Sequence, residues 1–140
     1  MTSRAQDRLR AAGLRVTTPR VTVLDVLEDA HGDTHLAAAD VVDRVRVRVG
    51  TVSTQAVYDV LDALTRAGLA RRIEPAGHPA RFEARVGDNH HHLVCRRCGS
   101  TTDVDCVVGA APCLTPSDAA GFVVDEAEVT FWGLCPACAS

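Results

Sequence analysis

Apolar residues recur at helical spacing through the first half of the chain and in short extended runs through the second. Residues 4–12 read as a short polar helix with Leu9 inward, ended by Gly13. After the extended Leu14-Arg15-Val16, Thr17 or Thr18 caps a second helix with Pro19 near its first turn. Val21, Val23, Leu24, Val26 and Leu27 form its apolar stripe. The loop His31-Gly32-Asp33 leads to a third helix, opened by Thr34 or His35 and carrying Val41, Val42 and Val45 to about Val47. Gly50-Thr51-Val52 is a turn. Ser53 then caps a fourth helix over 54–67, with Val57, Val60, Leu61 and Leu64 on one face and Gly68 as its stop. Residues 69–74 and 80–85 pattern as two strands around the turn Pro75-Ala76-Gly77. Three helices and a β-hairpin in this order predict a winged helix-turn-helix.

Beyond Val86-Gly87-Asp88 the pattern changes. Leu93 to Cys95, Thr101 to Asp105 and Glu128 to Trp132 read as strands, with a short helix near Pro116–Ala120. The expected fold class is therefore α+β: a winged-helix domain over 1–86, then a smaller α/β domain over 87–140. Hydrophobic content of 46% suffices for a core, but only five residues are aromatic, so the core must be aliphatic. No stretch approaches the roughly 18 apolar residues of a membrane helix. Met1-Thr2-Ser3-Arg4 lacks the apolar run of a signal peptide. A cytoplasmic location follows as the expectation, and there cysteines stay reduced.

That matters because Cys95/Cys98 and Cys135/Cys138 form two Cys-x-x-Cys pairs. Four thiolates in two close pairs complete the tetrahedron of a structural Zn²⁺ and leave no open position for a substrate. A redox Cys-x-x-Cys normally stands singly at a helix start, which fits two pairs beside strands poorly. Cys106 and Cys113 remain over, as small thiols or an auxiliary switch. Upstream lies His90-His91-His92. On a strand His90 and His92 share a face and can hold one ion, with Glu83, Asp88, Asp103 and Asp105 as nearby carboxylates. A mixed nitrogen and oxygen site suits Fe²⁺, Mn²⁺ or Zn²⁺. No His-Glu-x-x-His motif occurs and pocket-forming aromatics are few, so no enzyme is expected.

The net charge of −3 argues weakly against a polyanionic partner, but it is unevenly spread. Residues 1–87 carry +2 and residues 88–140 carry −5. Only the first half is suited to double-stranded DNA. The fourth helix would be the recognition helix, with Ser53, Thr54, Gln55, Tyr58 and Asp59 towards base edges or phosphates. Arg15 could enter a minor groove, and Arg20, Arg71, Arg72 and Arg81 are phosphate candidates.

These signals, in this order, resemble the ferric uptake regulator superfamily over essentially the whole chain. The matching residues are Gly13-Leu14-Arg15-Val16-Thr17 with Pro19-Arg20, Val57-Tyr58 with Leu61, and Gly68-Leu69. They continue through Arg81-Phe82-Glu83, His90-His91-His92-Leu93-Val94-Cys95, Cys98-Gly99 and Gly133-Leu134-Cys135 with Cys138. The segments 55–61, 86–92 and 125–129 look most like its actinobacterial FurA/CatR branch, whose members repress a catalase-peroxidase gene and often their own. The resemblance implies a homodimer through the C-terminal sheet, supported by the four-cysteine zinc. It also implies a regulatory Fe²⁺ or Mn²⁺ between the domains, on His35, Glu83, His90, His92 and Asp103. His35 enters only through the resemblance. The implied activity is metal-dependent repression that senses peroxide by oxidation of His35 or His90, or alternatively iron or zinc availability. Glu83 stands where many peroxide sensors have Asp. A further metal site of some iron-type members is expected to be absent, because Asn89 and Ala110 stand at two of its ligand positions.

Overall fold

The computed structural model describes residues 3–30, 35–75, 77–84, 90–105, 114–125 and 127–140, with only the backbone of His90 and Asp105. The chain divides into two units, Met1–Val86 and Gly87–Ser140. The fold class is α+β, with a winged helix-turn-helix in the first unit and a small mixed sheet in the second.

In the first unit, α1 (Arg4–Ala11) starts at a capping box between Ser3 and Gln6. Helix α2 (Thr18–Asp29) starts at Thr17, whose hydroxyl accepts from the Arg20 N–H, with Pro19 in the first turn where its missing N–H costs nothing. Helix α3 (Ala38–Val49) buries Val41, Val42 and Val45. Helix α4 (Thr54–Arg66) is capped by Ser53 and buries Val57, Val60, Leu61 and Leu64. Together with Leu9, Leu24 and Leu27 these residues make one aliphatic core. Arg46 of α3 donates from Nε to the Val52 carbonyl and from Nη2 to Thr54 Oγ1, which fixes the turn into α4.

Two helices stop in the same way. After α1 the Leu14 N–H reaches back to the Leu9 carbonyl at 2.9 Å, with Gly13 at φ +76°. After α4 the Leu69 N–H reaches the Leu64 carbonyl at 2.9 Å, with Gly68 at φ +78°. Each is a left-handed cap closed by a leucine pair, which turns the chain and keeps the carbonyls satisfied.

The wing has a strand that the periodicity does not show. Strand β1 (Leu36–Ala37) pairs antiparallel with β3 (Arg81–Ala84), which in turn pairs with β2 (Ala70–Ile73), giving the order β1-β3-β2. Helix α3 consequently starts at Ala38 and not at Thr34 or His35. Ala37 provides no side-chain cap, and the backbone of 36–37 is spent on the ladder with Phe82 and Arg81.

In the second unit β4 (His90–Cys95) is central. It pairs antiparallel with β5 (Thr101–Asp105) and parallel with β6 (Thr130–Gly133). The histidine run thus lies in a strand, which starts three residues before the Leu93 that its apolar pattern suggests. A helix near Pro116–Ala120 does not form. The Asp118 carboxylate accepts the Ala120 N–H at 2.8 Å and Ala120 takes φ +49°, a local turn that competes with helix. A short α5 (Pro136–Ala139) follows β6 instead.

The Gly68 cap can be tested directly. A Cβ there meets nothing within 4 Å, so Gly68→Ala carries only the left-handed backbone penalty. It should destabilise the first unit by about 1 kcal/mol in urea denaturation, with the folded spectrum unchanged.

Candidate metal centres

Strand β4 delivers Cys95 into a tight turn. The Gly99 N–H returns to the Cys95 carbonyl at 2.9 Å, and the Ser100 N–H points at Cys98 Sγ at 3.5 Å. The second pair sits on α5. Cys135 is its N-cap, Pro136 fixes the first turn, and the Cys138 N–H donates to the Cys135 carbonyl at 3.0 Å. Parallel pairing of β6 with β4 sets the two turns side by side, and the Arg96 N–H donates to the Gly133 carbonyl at 2.8 Å. Arg97 adds a link from Nη1 to the Cys138 carbonyl, 3.3 Å.

The four sulfurs lie within 4.8 Å of one another, and Cys98 Sγ is 3.8 Å from Cys135 Sγ. A tetrahedron with Zn–S bonds of ~2.3 Å has edges of about 3.8 Å, so the cluster fits zinc. Its proton balance fits as well. The N–H groups of Cys135 and Cys98 point at the Cys95 sulfur and hold its pKa down to about 5, against burial. The Cys135 thiol beside Cys138, together with burial, pushes Cys138 up to about 12. The cluster thus favours its thiolate character at Cys95 and retains a proton most readily at Cys138, which must be shed to bind metal.

The histidines and carboxylates occur as pairs within each unit. In the first unit His35 Nε2 lies 3.2 Å from Glu83 Oε2, with both side chains buried. The wing creates this pair: β1 follows His35 directly, β3 carries Glu83, and Arg81 Nη1 donates to the His35 carbonyl at 2.8 Å. In the second unit His92 is fully buried, with Nε2 3.4 Å from Asp103 Oδ1 across the β4–β5 ladder. Its other nitrogen, Nδ1, lies 3.3 Å from Glu128 Oε1. His91, on the alternate face, does a different job: its Nδ1 accepts the Val129 N–H at 3.1 Å.

Glu128 is not among the residues that the spacing singles out. It precedes β6, and only the parallel pairing brings it to β4. The side chains of His90 and Asp105, and all of Asp88, Asn89, Cys106, Ala110 and Cys113, lie outside the described residues. Imidazole nitrogen and carboxylate oxygen make a donor set for Fe²⁺, Mn²⁺ or Zn²⁺.

On α4, Tyr58 is 46% exposed. Gln55 donates from Nε2 to Asp59 at 2.8 Å. Ser53 and Thr54 are engaged locally, as a cap and as the acceptor from Arg46. Arg20 donates from Nη1 to the Arg15 carbonyl at 2.9 Å. Among the phosphate candidates, Arg81 is tied to the His35 carbonyl and Arg72 pairs with Glu74. Arg81 therefore braces the wing through this bond. No helix among the described residues is long and apolar enough to cross a membrane.

The sequence model of the ferric uptake regulator family matches residues 11–109. The transcriptional regulator FurA of Mycobacterium tuberculosis is 59% identical over 132 residues, covering 94% of this chain and 88% of that protein. The ferric uptake regulator of Vibrio cholerae superposes with a TM-score of 0.72 at 26% identity, covering 93% of this chain and 98% of that one. The Pseudomonas aeruginosa regulator, solved with manganese, gives 0.70 at 27% identity, covering 96% and 99%.

Zinc uptake should release protons, mainly from thiols other than Cys95. Affinity should therefore rise between about pH 6 and pH 8, because Cys138 gives up its proton more easily as pH rises. Calorimetry in two buffers of different ionisation enthalpy checks this; an affinity flat with pH would contradict it. Cys95→Ser should lose zinc and the ordered second unit together, read as zinc content and hydrogen-exchange protection of β4.

Proposed function

Because the chain belongs to the ferric uptake regulator family of metal-dependent transcriptional regulators, we propose that it is a homodimeric repressor whose regulatory ion responds to hydrogen peroxide. The observation that carries the reading is the pair of buried imidazole–carboxylate half-sites, His35 with Glu83 and His92 with Asp103. In this reading one Fe²⁺ or Mn²⁺ takes ligands from both, together with His90. Manganese in the Pseudomonas aeruginosa relative supports that choice of ions. Ligands drawn from two units tie the angle between them to metal occupancy. In a dimer that angle sets the spacing of the two recognition helices on an operator.

A second copy is proposed to join along β6. Phe131, Trp132 and Leu134 are exposed there, and β6 has β4 alone as a neighbour among the described strands. Tyr58 is the proposed base-contacting side chain of α4, with Ser53, Thr54, Gln55, Arg15 and Arg20 at the same interface. The genes repressed are proposed to be a catalase-peroxidase gene and the repressor's own.

When bound, ferrous iron would supply the redox activation of peroxide beside the imidazoles and be regenerated overall. In the net change a ring C–H of His35 or His90 and H₂O₂ become a ring C–OH and water, the ring giving up the two electrons. The oxidised ring is a poorer ligand, the ion is lost, and the operator is released. The four cysteines hold zinc throughout and take no part. A second reading, repression governed by iron or zinc availability, is favoured by Glu83, whose longer side chain stands where many peroxide sensors have Asp.

The test is binding to the chain's own promoter DNA, with Fe²⁺ or Mn²⁺ loaded, before and after a small dose of H₂O₂. The peroxide reading expects the Fe²⁺ form alone to lose DNA and to gain one oxygen on the peptide holding His35 or His90. If both forms keep DNA and only chelation releases it, the availability reading replaces it. His35→Ala should leave a zinc-bound dimer that no longer binds DNA tightly. Tyr58→Ala should weaken operator binding by about 1–3 kcal/mol with the fold intact, measured by fluorescence anisotropy.

A further inference from the structure

His92 has a carboxylate at each nitrogen, and the two are held by different means. Asp103 faces it across the antiparallel ladder, in register, 3.4 Å from Nε2. Glu128 faces Nδ1 at 3.3 Å because the neighbouring residue is fastened at both ends. The His92 N–H donates to the Val129 carbonyl at 3.1 Å, and the Val129 N–H donates to His91 Nδ1 at 3.1 Å. Adjacent histidines of one strand therefore have separate tasks. His91 accepts at Nδ1 and so carries its proton at Nε2, fixing the segment that presents Glu128. His92 is fully buried, with a carboxylate at ion-pair distance from each ring nitrogen.

We propose that Glu128 is a positioning residue for the regulatory site: its carboxylate, at ion-pair distance from Nδ1, keeps the ring proton on that nitrogen and leaves the Nε2 lone pair for the ion beside Asp103. This rests on the reading of His92 as a ligand. The chemistry is general: an imidazole holds a metal better when its other nitrogen donates to a carboxylate, which fixes the tautomer and ring angle and raises basicity. Glu128 is half-exposed, so it can take this role without the cost of a fully buried second charge. Asp103 lies on the metal side of the ring and Glu128 on the far side, so the two carboxylates are not interchangeable.

The experiment titrates Mn²⁺ into zinc-loaded full-length protein by calorimetry, for wild type, His92→Ala, Glu128→Ala and Glu128→Gln. In parallel, ¹⁵N-histidine spectra of the same proteins before Mn²⁺ addition read the tautomer of His92. Glu128→Ala should weaken Mn²⁺ by about 10- to 100-fold and remove the Nδ1–H signature. Glu128→Gln, which keeps an accepting oxygen, should recover the tautomer and most of the affinity. Zinc content and thermal midpoint should not change. If His92→Ala abolishes Mn²⁺ binding while Glu128→Ala alters neither affinity nor tautomer, the positioning role is wrong and the ligand assignment stands. If Glu128→Gln is as damaging as His92→Ala, Glu128 is itself a ligand and the positioning role falls. If His92→Ala leaves Mn²⁺ binding intact, the underlying site assignment fails.

Discussion

Sulfur–metal bonding has to do in the second unit what apolar packing does in the first. Among the described residues of the second unit, the covered apolar side chains are Val94 and Cys95, while Leu93, Phe131, Trp132 and Leu134 stay half-exposed. The other covered positions are polar: His91, His92 and Thr101. Such a sheet cannot outweigh its conformational entropy by hydrophobic burial alone. A four-thiolate zinc site contributes on the order of 10 kcal/mol of folding free energy at neutral pH, comparable to the whole stability of a small domain. The remaining features follow from where that clamp is placed. It joins the end of β4 to the residues after β6, and so holds the parallel pairing that brings Glu128 to His92.

The first unit works by the opposite logic. Its aliphatic side chains interlock across four helices with no metal required, and its wing is pinned by Arg81 on the His35 carbonyl. The buried imidazole of His35 and carboxylate of Glu83 face each other at 3.2 Å, which offsets the cost of burying them at the edge of such a core. The unit can therefore hold this pair in place without depending on an ion to fold. Binding is thereby kept apart from folding, which lets a regulatory ion come and go.

Most of this was legible in the residues where the signal is local. Ser53 as a cap, Gly13 and Gly68 as stops, the apolar stripe of α4 and the two Cys-x-x-Cys turns are all short-range patterns. What was not legible depends on pairing between distant segments. Strand β1 is two residues long, too short to show a period, and exists only because Phe82 and Arg81 meet it. His35 gains its meaning from that strand, so the residues alone made it a helix start. Glu128 gains its place from the β4–β6 register, and α5, at four residues, is set by Pro136 and the zinc turn. The misplaced helix at 116–120 had a local rival, the Asp118 turn, that the pattern of apolar residues does not register.

Parallel pairing of β4 with β6 also orders events in time. Antiparallel neighbours such as β2 and β3 need only a short turn, whereas Cys98 and Cys135 meet across 37 positions. Closing so long a loop costs entropy before any contact returns it, and parallel sheets are slow for that reason. The helical unit, rich in near-neighbour contacts, has the topology of the faster folder. The sheet waits for a collision of two distant thiol pairs around one ion. For a newly made chain this topology favours completion of the winged-helix unit ahead of the sheet, and makes zinc supply a limit on how soon the sheet can close.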